Sequence, residues 1–352
     1  MTEHLEAAAS ALAAVATPAA SAASEKPGWP ATASSYKLGE CIGGSEGSGV
    51  RVWLATCEAD GEAVAVKTVD LEKQTSTRFA EMRMEVQQMA QLSHANVAQM
   101  HQAFVARGEL WLVMQLHAAG SCRAIMRHSH ERGFDEGLVL GIVREVARGL
   151  EYLHARGIIH RNLKGSNILI DGRGAVRVTG FEKAAAMVEG GERLHNRRTF
   201  IGSPCWMAPE GLEQASGYDA SADVWSLGIC ALELLSGEAP FEHEPPMKVM
   251  LRVLAAAPPL PEKTSKALKE LLGVCLKRAA AERPTAAKLL HHRALRELKQ
   301  KEVSDRLVEL VSTLPPLAQR HKQLLARAAE RRDADISAAA AATSVASTAP
   351  PS

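Results

Sequence analysis

Paired cysteines and metal-binding spacings are missing from this sequence of 352 residues. Its six cysteines are Cys41, Cys57, Cys122, Cys205, Cys230 and Cys275. None belongs to a Cys-x-x-Cys pair, and no His-x-x-x-His run accompanies them. These absences exclude the usual zinc sites and a disulfide scaffold, and they favour a reducing compartment.

The sequence also lacks long apolar runs and an excess of either charge. No stretch of about 18 apolar residues occurs, and Glu3, His4 and Glu6 stand where a secretory signal would carry positive charge. Lysine and arginine number 41 against 40 aspartates and glutamates, so the net charge is +1. We therefore expect a cytoplasmic protein with no membrane span and no nucleic acid as its partner.

Aromatic residues make up only 4% of the chain. Alanine, serine, threonine and proline dominate residues 1–35 and again residues 334–352. Segments of this composition bury too little apolar surface to fold. The sequence therefore predicts a disordered leader over 1–35 and a disordered tail over 334–352.

Short strand patterns dominate the first structured region, residues 36–116. Val50–Ala55 and Ala63–Val69 are β-branched runs, and Glu109–Leu116 is mostly apolar. Thr77–Leu92 instead repeats its apolar residues every three or four positions, which predicts one helix.

Helical patterns dominate the next region, residues 117–294. Gly137–His154 is amphipathic, and Val224–Leu235 is almost wholly apolar, as in a buried helix. A β-rich small lobe followed by a helical large lobe gives an α+β fold of two lobes, within a domain spanning 36–294.

A basic helical extension is predicted over 295–333. Ten lysines and arginines stand against six acidic residues from Arg293 to Asp333. Leu298, Val303 and Leu307 begin an apolar stripe on one helical face. Two interpretations remain open: the extension docks by this face, or it is a detached helix that binds a partner.

A lysine at the end of a strand begins the chemical argument. Lys67 follows Val64-Ala65-Val66, and Glu85 lies eighteen residues later on the predicted helix, where its carboxylate can balance the lysine. Upstream, Gly43, Gly44, Gly47 and Gly49 would let backbone N–H groups approach a polyphosphate. Each signal alone is weak, because a glycine-rich hairpin is usually only a turn.

A series of motifs downstream resembles a eukaryotic protein kinase domain over roughly residues 36–294. In order along the chain they are His160-Arg161-Asn162-Leu163-Lys164-Gly165-Ser166-Asn167, Gly180-Phe181-Glu182, Met207-Ala208-Pro209-Glu210, Asp223-Val224-Trp225-Ser226 and Arg283-Pro284-Thr285. Lys164 and Ser203 are typical of the serine/threonine type. The stretches Glu109–Met114, Thr199–Trp206 and Pro245–Val249 resemble the sterile-20-like group, and within it the oxidative-stress-responsive/SPAK and STRAD branch.

The resemblance implies a two-lobed kinase fold with ATP as its ligand. It implies that Lys67 and Glu85 bind the cofactor together with the glycine-rich segment, and that Met114 and Leu116 lie against the nucleotide. It also implies that Glu210 pairs with Arg283 and that Asp223 anchors the catalytic loop. Thr199 is a candidate phosphorylation site, with Arg161 as the partner of its phosphate.

Two positions depart from the kinase pattern, and both have lost a carboxylate. Asn162 stands where kinases carry the aspartate that orients the substrate hydroxyl, and an amide is not a useful base. Gly180 stands where kinases carry the aspartate that holds Mg²⁺. Asn167 remains as a metal ligand, but one amide oxygen predicts a poor magnesium site.

The glycine-rich segment departs as well. Counting back fifteen residues from Lys67 puts Val52 at the valine of the kinase pattern, Val50 at its last glycine and Ser45 at its first. The segment is irregular, which weakens its match to a phosphate cradle.

Three hypotheses about function follow. The first is a pseudokinase that activates or scaffolds a partner kinase. The second is an active serine/threonine kinase in which Glu46 or Glu182 compensates, although Glu182 lies two residues past the missing aspartate. The third is an interaction module acting through residues 295–333. STRAD-like relatives bind a helical-repeat scaffold through an aromatic-acidic C-terminal motif, which the ending Thr348–Ser352 does not match.

Overall fold

A computed structural model describes residues 28–186, 188–189, 192–193, 204–213 and 219–330. Most of the predicted leader, the tail beyond residue 330 and the candidate phosphorylation site Thr199 lie outside the described residues. Within the described part, no helix has the length and apolar character needed to span a bilayer.

The small lobe is built on an antiparallel sheet of five strands and one long helix. Its elements are β1 (Tyr36–Ser45), β2 (Val50–Cys57), β3 (Ala63–Asp70), α1 (Ser76–Gln91), β4 (Met100–Ala106) and β5 (Glu109–Gln115). The strand order is β1-β2-β3-β5-β4. The Thr75 hydroxyl begins α1 by accepting a hydrogen bond from the Arg78 amide, which satisfies one of the unpaired donors at the helix start.

The large lobe is mainly helical. Its helices are α2 (Cys122–Ser129), α3 (Glu136–Ala155), α4 (Pro209–Glu213), α5 (Ser221–Ser236), α6 (Pro246–Ala255), α7 (Lys266–Cys275), α8 (Ala286–Leu290), α9 (Arg293–Arg296), α10 (Gln300–Ser312) and α11 (317–330). Its strands are short: β6 (Gly120–Ser121), β7 (Ile158–Ile159), β8 (Ile168–Ile170), β9 (Val176–Val178), β10 (Ala185–Ala186), β11 (Val188–Glu189) and β12 (Glu192–Arg193). A β-rich lobe and a helical lobe confirm the predicted α+β class.

Helix α5 forms the centre of the large lobe. It is buried along nearly its whole length, as its apolar sequence predicts, and it ends at Gly237, whose φ of 87° suits a glycine. Helix α3 packs against it. Asp135 begins α3 by accepting from the amides of Gly137 and Leu138.

The extension is docked through the apolar face of α10. Val303, Leu307 and Leu310 of α10 are buried, and Val303 packs so closely on Gly141 of α3 that a Cβ at Gly141 would overlap it. The apolar stripe is therefore used inside the fold. Of the two interpretations of this segment, the structure has the docked one.

Candidate functional site

An ion pair links the small lobe's sheet to its helix at the cleft. Lys67 Nζ on β3 lies 3.1 Å from Glu85 Oε1 on α1, with 20% of the lysine side chain and 5% of the glutamate side chain exposed. Burial lowers the pKa of Lys67, but the carboxylates of Glu85 and Glu182 outweigh it and raise that pKa above its ordinary value. Lys67 is therefore a fixed positive charge at the cleft.

The strand register arranges the neighbours of Lys67. Val52 on β2, which the count back from Lys67 puts at the valine of the kinase pattern, pairs with Lys67, and Ala65 pairs with Met114 on β5. Because alternate residues of a strand share a face, Met114 lies on the same face of the sheet as Lys67. Leu116 follows directly after β5, and both predicted nucleotide contacts are partly buried.

The glycine-rich segment forms a tight hairpin between β1 and β2. Gly43 and Gly44 lie within β1, and Gly47 lies in the short turn that follows it. Gly44 has a φ of +102°, and any Cβ there would overlap the backbone of Val50. Gly49 has a φ of +67°, and its carbonyl accepts from the Asp70 amide at 2.8 Å. The hairpin tip is thus fastened to the end of β3.

Residues 160–167 form the candidate catalytic loop. Its backbone is held by Asp223, which is fully buried in α5. Its two carboxylate oxygens accept from the amides of His160 and Arg161, each at 2.8 Å. His154 Nε2 lies 2.8 Å from the same carboxylate. Burial raises the pKa of Asp223, but His154, followed by the nearby His160 and the amide of Arg161, more than reverses this, so the net pKa is lowered.

A second buried carboxylate in α5, Glu233, supports the same loop. It accepts from the Gly165 amide at 2.8 Å, from Trp206 Nε1 at 2.8 Å and from Arg123 at 3.0 Å. Sequence reasoning missed this residue. The sequence feature that could have identified it is the single charged residue in the almost wholly apolar run Val224–Leu235. A lone charge in a buried helix needs several hydrogen-bond partners.

Asn162 and Glu182 meet directly in the cleft. Asn162 is buried, and its Nδ2 donates to Glu182 Oε1 at 2.7 Å and to the Gly180 carbonyl at 3.2 Å. The carboxylate of Glu182 therefore reaches the side chain at the position of the catalytic base. A short turn over Phe181–Lys183, entered through a left-handed Gly180, brings the carboxylate back to the loop.

Asn167 occupies the space beside Gly180. Its Nδ2 donates to the Asn162 carbonyl at 2.7 Å. A Cβ added at Gly180 would lie 2.5 Å from Asn167 Cγ, so a side chain there would require the amide to move. The two positions that depart from the kinase pattern are therefore joined through one network of amides.

The expected pair of Glu210 and Arg283 is present, and it ties α4 to the rest of the large lobe. Arg283 Nη1 and Nη2 lie 2.6 and 2.9 Å from the two carboxylate oxygens of Glu210. The rings of His160 and Phe181 pack edge to face at 5.1 Å.

The remaining predicted residues lie around the loop. Arg161 has a φ of +62° and bonds to Asp223 through its amide. Lys164 is partly buried and lines, with Asn162 and Met207, a small cavity beside the loop. A phosphate at Thr199 remains a prediction.

Comparison with known proteins places this geometry in a family. The model described as protein kinase domain matches residues 36–295, and the chain belongs to that family. The relatives described next are sterile-20-like serine/threonine kinases.

Three relatives illustrate the similarity. The chain is 42% identical over 302 residues to serine/threonine-protein kinase fray2 of Dictyostelium discoideum, covering 84% of this chain and 29% of the relative. It is 38% identical over 329 residues to germinal center kinase 3 of Caenorhabditis elegans, covering 87% and 55%. Against serine/threonine-protein kinase PAK mbt of Drosophila melanogaster the identity is 35% over 255 residues, covering 72% and 38%. The chain spans about half or less of these relatives.

Proposed function

We propose that this chain is a catalytically impaired member of the sterile-20-like kinases, a pseudokinase of the oxidative-stress-responsive/SPAK and STRAD branch. We further propose that it works in the cytoplasm by activating or scaffolding a partner protein kinase. The observation that carries the proposal is Asn162, whose amide donates to Glu182 at the position of the catalytic base. The contacts that hold the fold around it are present, namely Asp223 with the loop amides and Glu210 with Arg283.

The missing base supports impairment directly. A catalytic aspartate accepts the proton of the substrate hydroxyl, whereas the Nδ2 of Asn162 is a donor already engaged by Glu182 and Gly180. Loss of general-base help alone costs about 10²–10⁴ in rate.

ATP is the ligand that the kinase family implies, and Lys67 fits it. The ammonium group is charged, partly exposed and fixed by Glu85, so it would hold the phosphates, with Met114 and Leu116 near the base.

Mg²⁺ does not fit this donor set. Magnesium prefers an octahedral shell that includes carboxylates, and Gly180 supplies no side chain. The Nδ2 of Asn167 donates to the Asn162 carbonyl, which leaves one neutral amide oxygen at this position, and a single amide oxygen is a poor magnesium site.

A phosphotransfer assay tests the proposal. Purified protein with labelled ATP and Mg²⁺ or Mn²⁺ should transfer no more phosphate to itself or a generic substrate than the Lys67→Met variant. Lys299→Met, which removes a lysine with a 77% exposed side chain, is the matched control. Transfer that persists in Lys299→Met and disappears in Lys67→Met would establish the active kinase instead.

The active kinase remains the second candidate because of Glu182. Its carboxylate is the acidic group that meets Asn162 in the cleft, and it is the residue through which compensation would act. Activity abolished by Glu182→Gln would favour this candidate.

Partner activation has its own test. The activity of a candidate partner kinase is measured with and without this chain, and Lys67→Met should leave any stimulation intact. A variant lacking the residues beyond 330 is then tested for partner binding. Loss of binding would indicate a helical-repeat scaffold bound through the tail, whereas retained binding would indicate a partner bound on the kinase fold.

A further inference from the structure

The segment that begins at Gly180 is fastened to the candidate catalytic loop by side-chain amides. Asn162 Nδ2 donates to the Gly180 carbonyl at 3.2 Å and to Glu182 Oε1 at 2.7 Å, and Asn162 is only 7% exposed. Asn167 Nδ2 donates to the Asn162 carbonyl at 2.7 Å. The side chains of Asn162 and Asn167 are called the amide latch below, because together they join the loop to the turn over Phe181–Lys183.

This arrangement requires a hydrogen-bond donor at position 162. Both partners of the Asn162 amide, a backbone carbonyl and a carboxylate, are acceptors, and an amide nitrogen can donate to each of them. An ionised aspartate has no proton to donate, so at this position it would face two acceptors without bonding to either. The change that removes the base of the kinase pattern is therefore the change that supplies the latch.

Gly180 leaves room for the other half of the latch. Its φ of +89° is a left-handed backbone that favours glycine, and a Cβ there would lie 2.5 Å from Asn167 Cγ. A side chain at position 180 would thus push the Asn167 amide away from the Asn162 carbonyl. The two departures from the kinase pattern fit one another in space.

The turn that the latch holds packs against helix α1. Phe181 is 1% exposed and belongs to the same buried core as Met82 and Val86 of that helix. On the same stretch of α1, Glu85 pairs with Lys67 at 3.1 Å. A turn that is fixed at Phe181 therefore keeps α1 in the position where this ion pair forms.

We propose that the amide latch is a conformational device, which keeps the turn, α1 and the pair of Lys67 and Glu85 in place with neither nucleotide nor metal bound. In protein kinases this ion pair must be in place for activity, and it is a point of control. A latched chain would present one surface to a partner kinase at any ATP concentration, and this consequence alone rests on the proposed function. Asn162 acts as a positioning residue for Glu182 and the turn.

Hydrogen exchange of the unliganded protein tests the latch. Asn162→Asp removes the donor and opposes two carboxylates, so exchange in residues 180–186 and in α1 should become about tenfold faster or more. Adding Glu182→Gln to this variant should restore most of the protection, since a glutamine amide can donate to the new aspartate. Exchange in α7, which is remote from the turn in sequence, should stay unchanged in every variant.

Two further variants serve as controls. Glu309→Gln, at an exposed glutamate of α10, also removes one negative charge, but it should not restore protection to Asn162→Asp. Glu182→Ala removes an acceptor without adding a charge and should accelerate exchange in the same two segments to a smaller extent. It covers the case in which Asn162→Asp does not fold.

Several results would overturn the latch. Unchanged exchange in both Asn162→Asp and Glu182→Ala would show that the amides fasten nothing, and equal acceleration in α7 would indicate a general loss of stability instead. Acceleration in 180–186 that does not reach α1 would show that the turn does not hold the helix. A wild-type α1 that becomes protected only when ATP is added would make the nucleotide the element that sets it.

The outcome of this experiment is separate from that of the phosphotransfer assay. Phosphotransfer by the wild type would overturn the proposed function and leave the exchange results standing. Loss of the latch in the exchange experiment would leave the impairment at Asn162 to be decided by that assay.

Discussion

A histidine two residues after β5 shows how burial sets the charge of one residue. His117 is 5% exposed, its Nδ1 lies 2.9 Å from the Gln115 carbonyl, and its buried Nε2 has no hydrogen-bond partner among the described residues. Burial, followed by the nearby Arg177, lowers the pKa of His117 to about 4, against smaller opposing effects of the Gln115 carbonyl and Asp171; His101 lowers it slightly further. The imidazole is therefore neutral at pH 7.

This makes stability depend on pH in a defined direction. The unfolded histidine has a pKa of about 6.5, so between pH 6.5 and 4 the unfolded chain binds more protons than the folded chain. The free energy of unfolding should fall as the pH decreases through this window, by about 3 kcal/mol from His117. His117→Gln should remove that part of the pH dependence, measured by urea unfolding at several pH values.

The other buried histidines are present in both proteins, so they cancel in the comparison. His243→Gln, which removes a histidine with an 80% exposed side chain, is the control. A wild type and a His117→Gln variant with parallel pH profiles would contradict the assignment.

At the scale of elements, apolar periodicity predicts helices closely. Thr77–Leu92 is observed as Ser76–Gln91 and Gly137–His154 as Glu136–Ala155. Strand β1 shows no clear alternation of apolar and polar residues in the sequence, because glycines interrupt it. In the structure its pairing with β2 contains register shifts.

The site was partly predictable for similar reasons. Lys67 and Glu85 lie on regular elements, so their meeting follows from a strand and a helix. The position of Glu182 depends on a left-handed backbone at Gly180 and the short turn after it. No periodic sequence pattern predicts such a turn, so the hydrogen bond between Asn162 and Glu182 could not be predicted from the sequence.

The ion pair that ties α4 to the large lobe gives a prediction at this scale. Arg283 has a fully buried side chain and also donates to the carbonyls of Ser221, Lys277 and Arg278. Glu210→Ala would leave this charge without its carboxylate and should cost about 3–5 kcal/mol of unfolding free energy, measured by denaturant titration.

A surface pair offers the comparison. Glu297→Ala removes the exposed partner of Arg293 on α9 and should cost less than about 1 kcal/mol. Equal losses for Glu210→Ala and Glu297→Ala would show that the buried pair contributes no more than a surface one.

At the scale of the whole molecule, α11 contacts both lobes. Lys322 pairs with Glu40 on β1, and Arg327 lies 3.9 Å from Glu131 after α2. On the same helix, Arg320 is 1% exposed and donates to the Ala119 carbonyl at 2.9 Å, in the segment 116–121 that connects the lobes. The last described helix thus braces that connection.

Arg320→Ala should loosen the connection between the lobes. The guanidinium also donates to the carbonyls of Pro315 and Ala118, so its loss should cost about 2–3 kcal/mol. Hydrogen exchange of residues 116–121 should become faster, because the carbonyls that order this segment lose their donor.

Lys322→Ala, which removes only an exposed ion pair, should leave exchange in 116–121 unchanged. If Arg320→Ala also leaves it unchanged while lowering stability elsewhere, the helix does not brace the connection.

The two carboxylates of α5 have a consequence for the history of the chain. Asp223 and Glu233 hold the catalytic loop from beneath, through the amides of residues 160, 161 and 165. Because these bonds go to backbone amides, they do not depend on the side chains that the loop presents. Selection for a folded protein alone would therefore preserve these two acids even where side chains of the loop change.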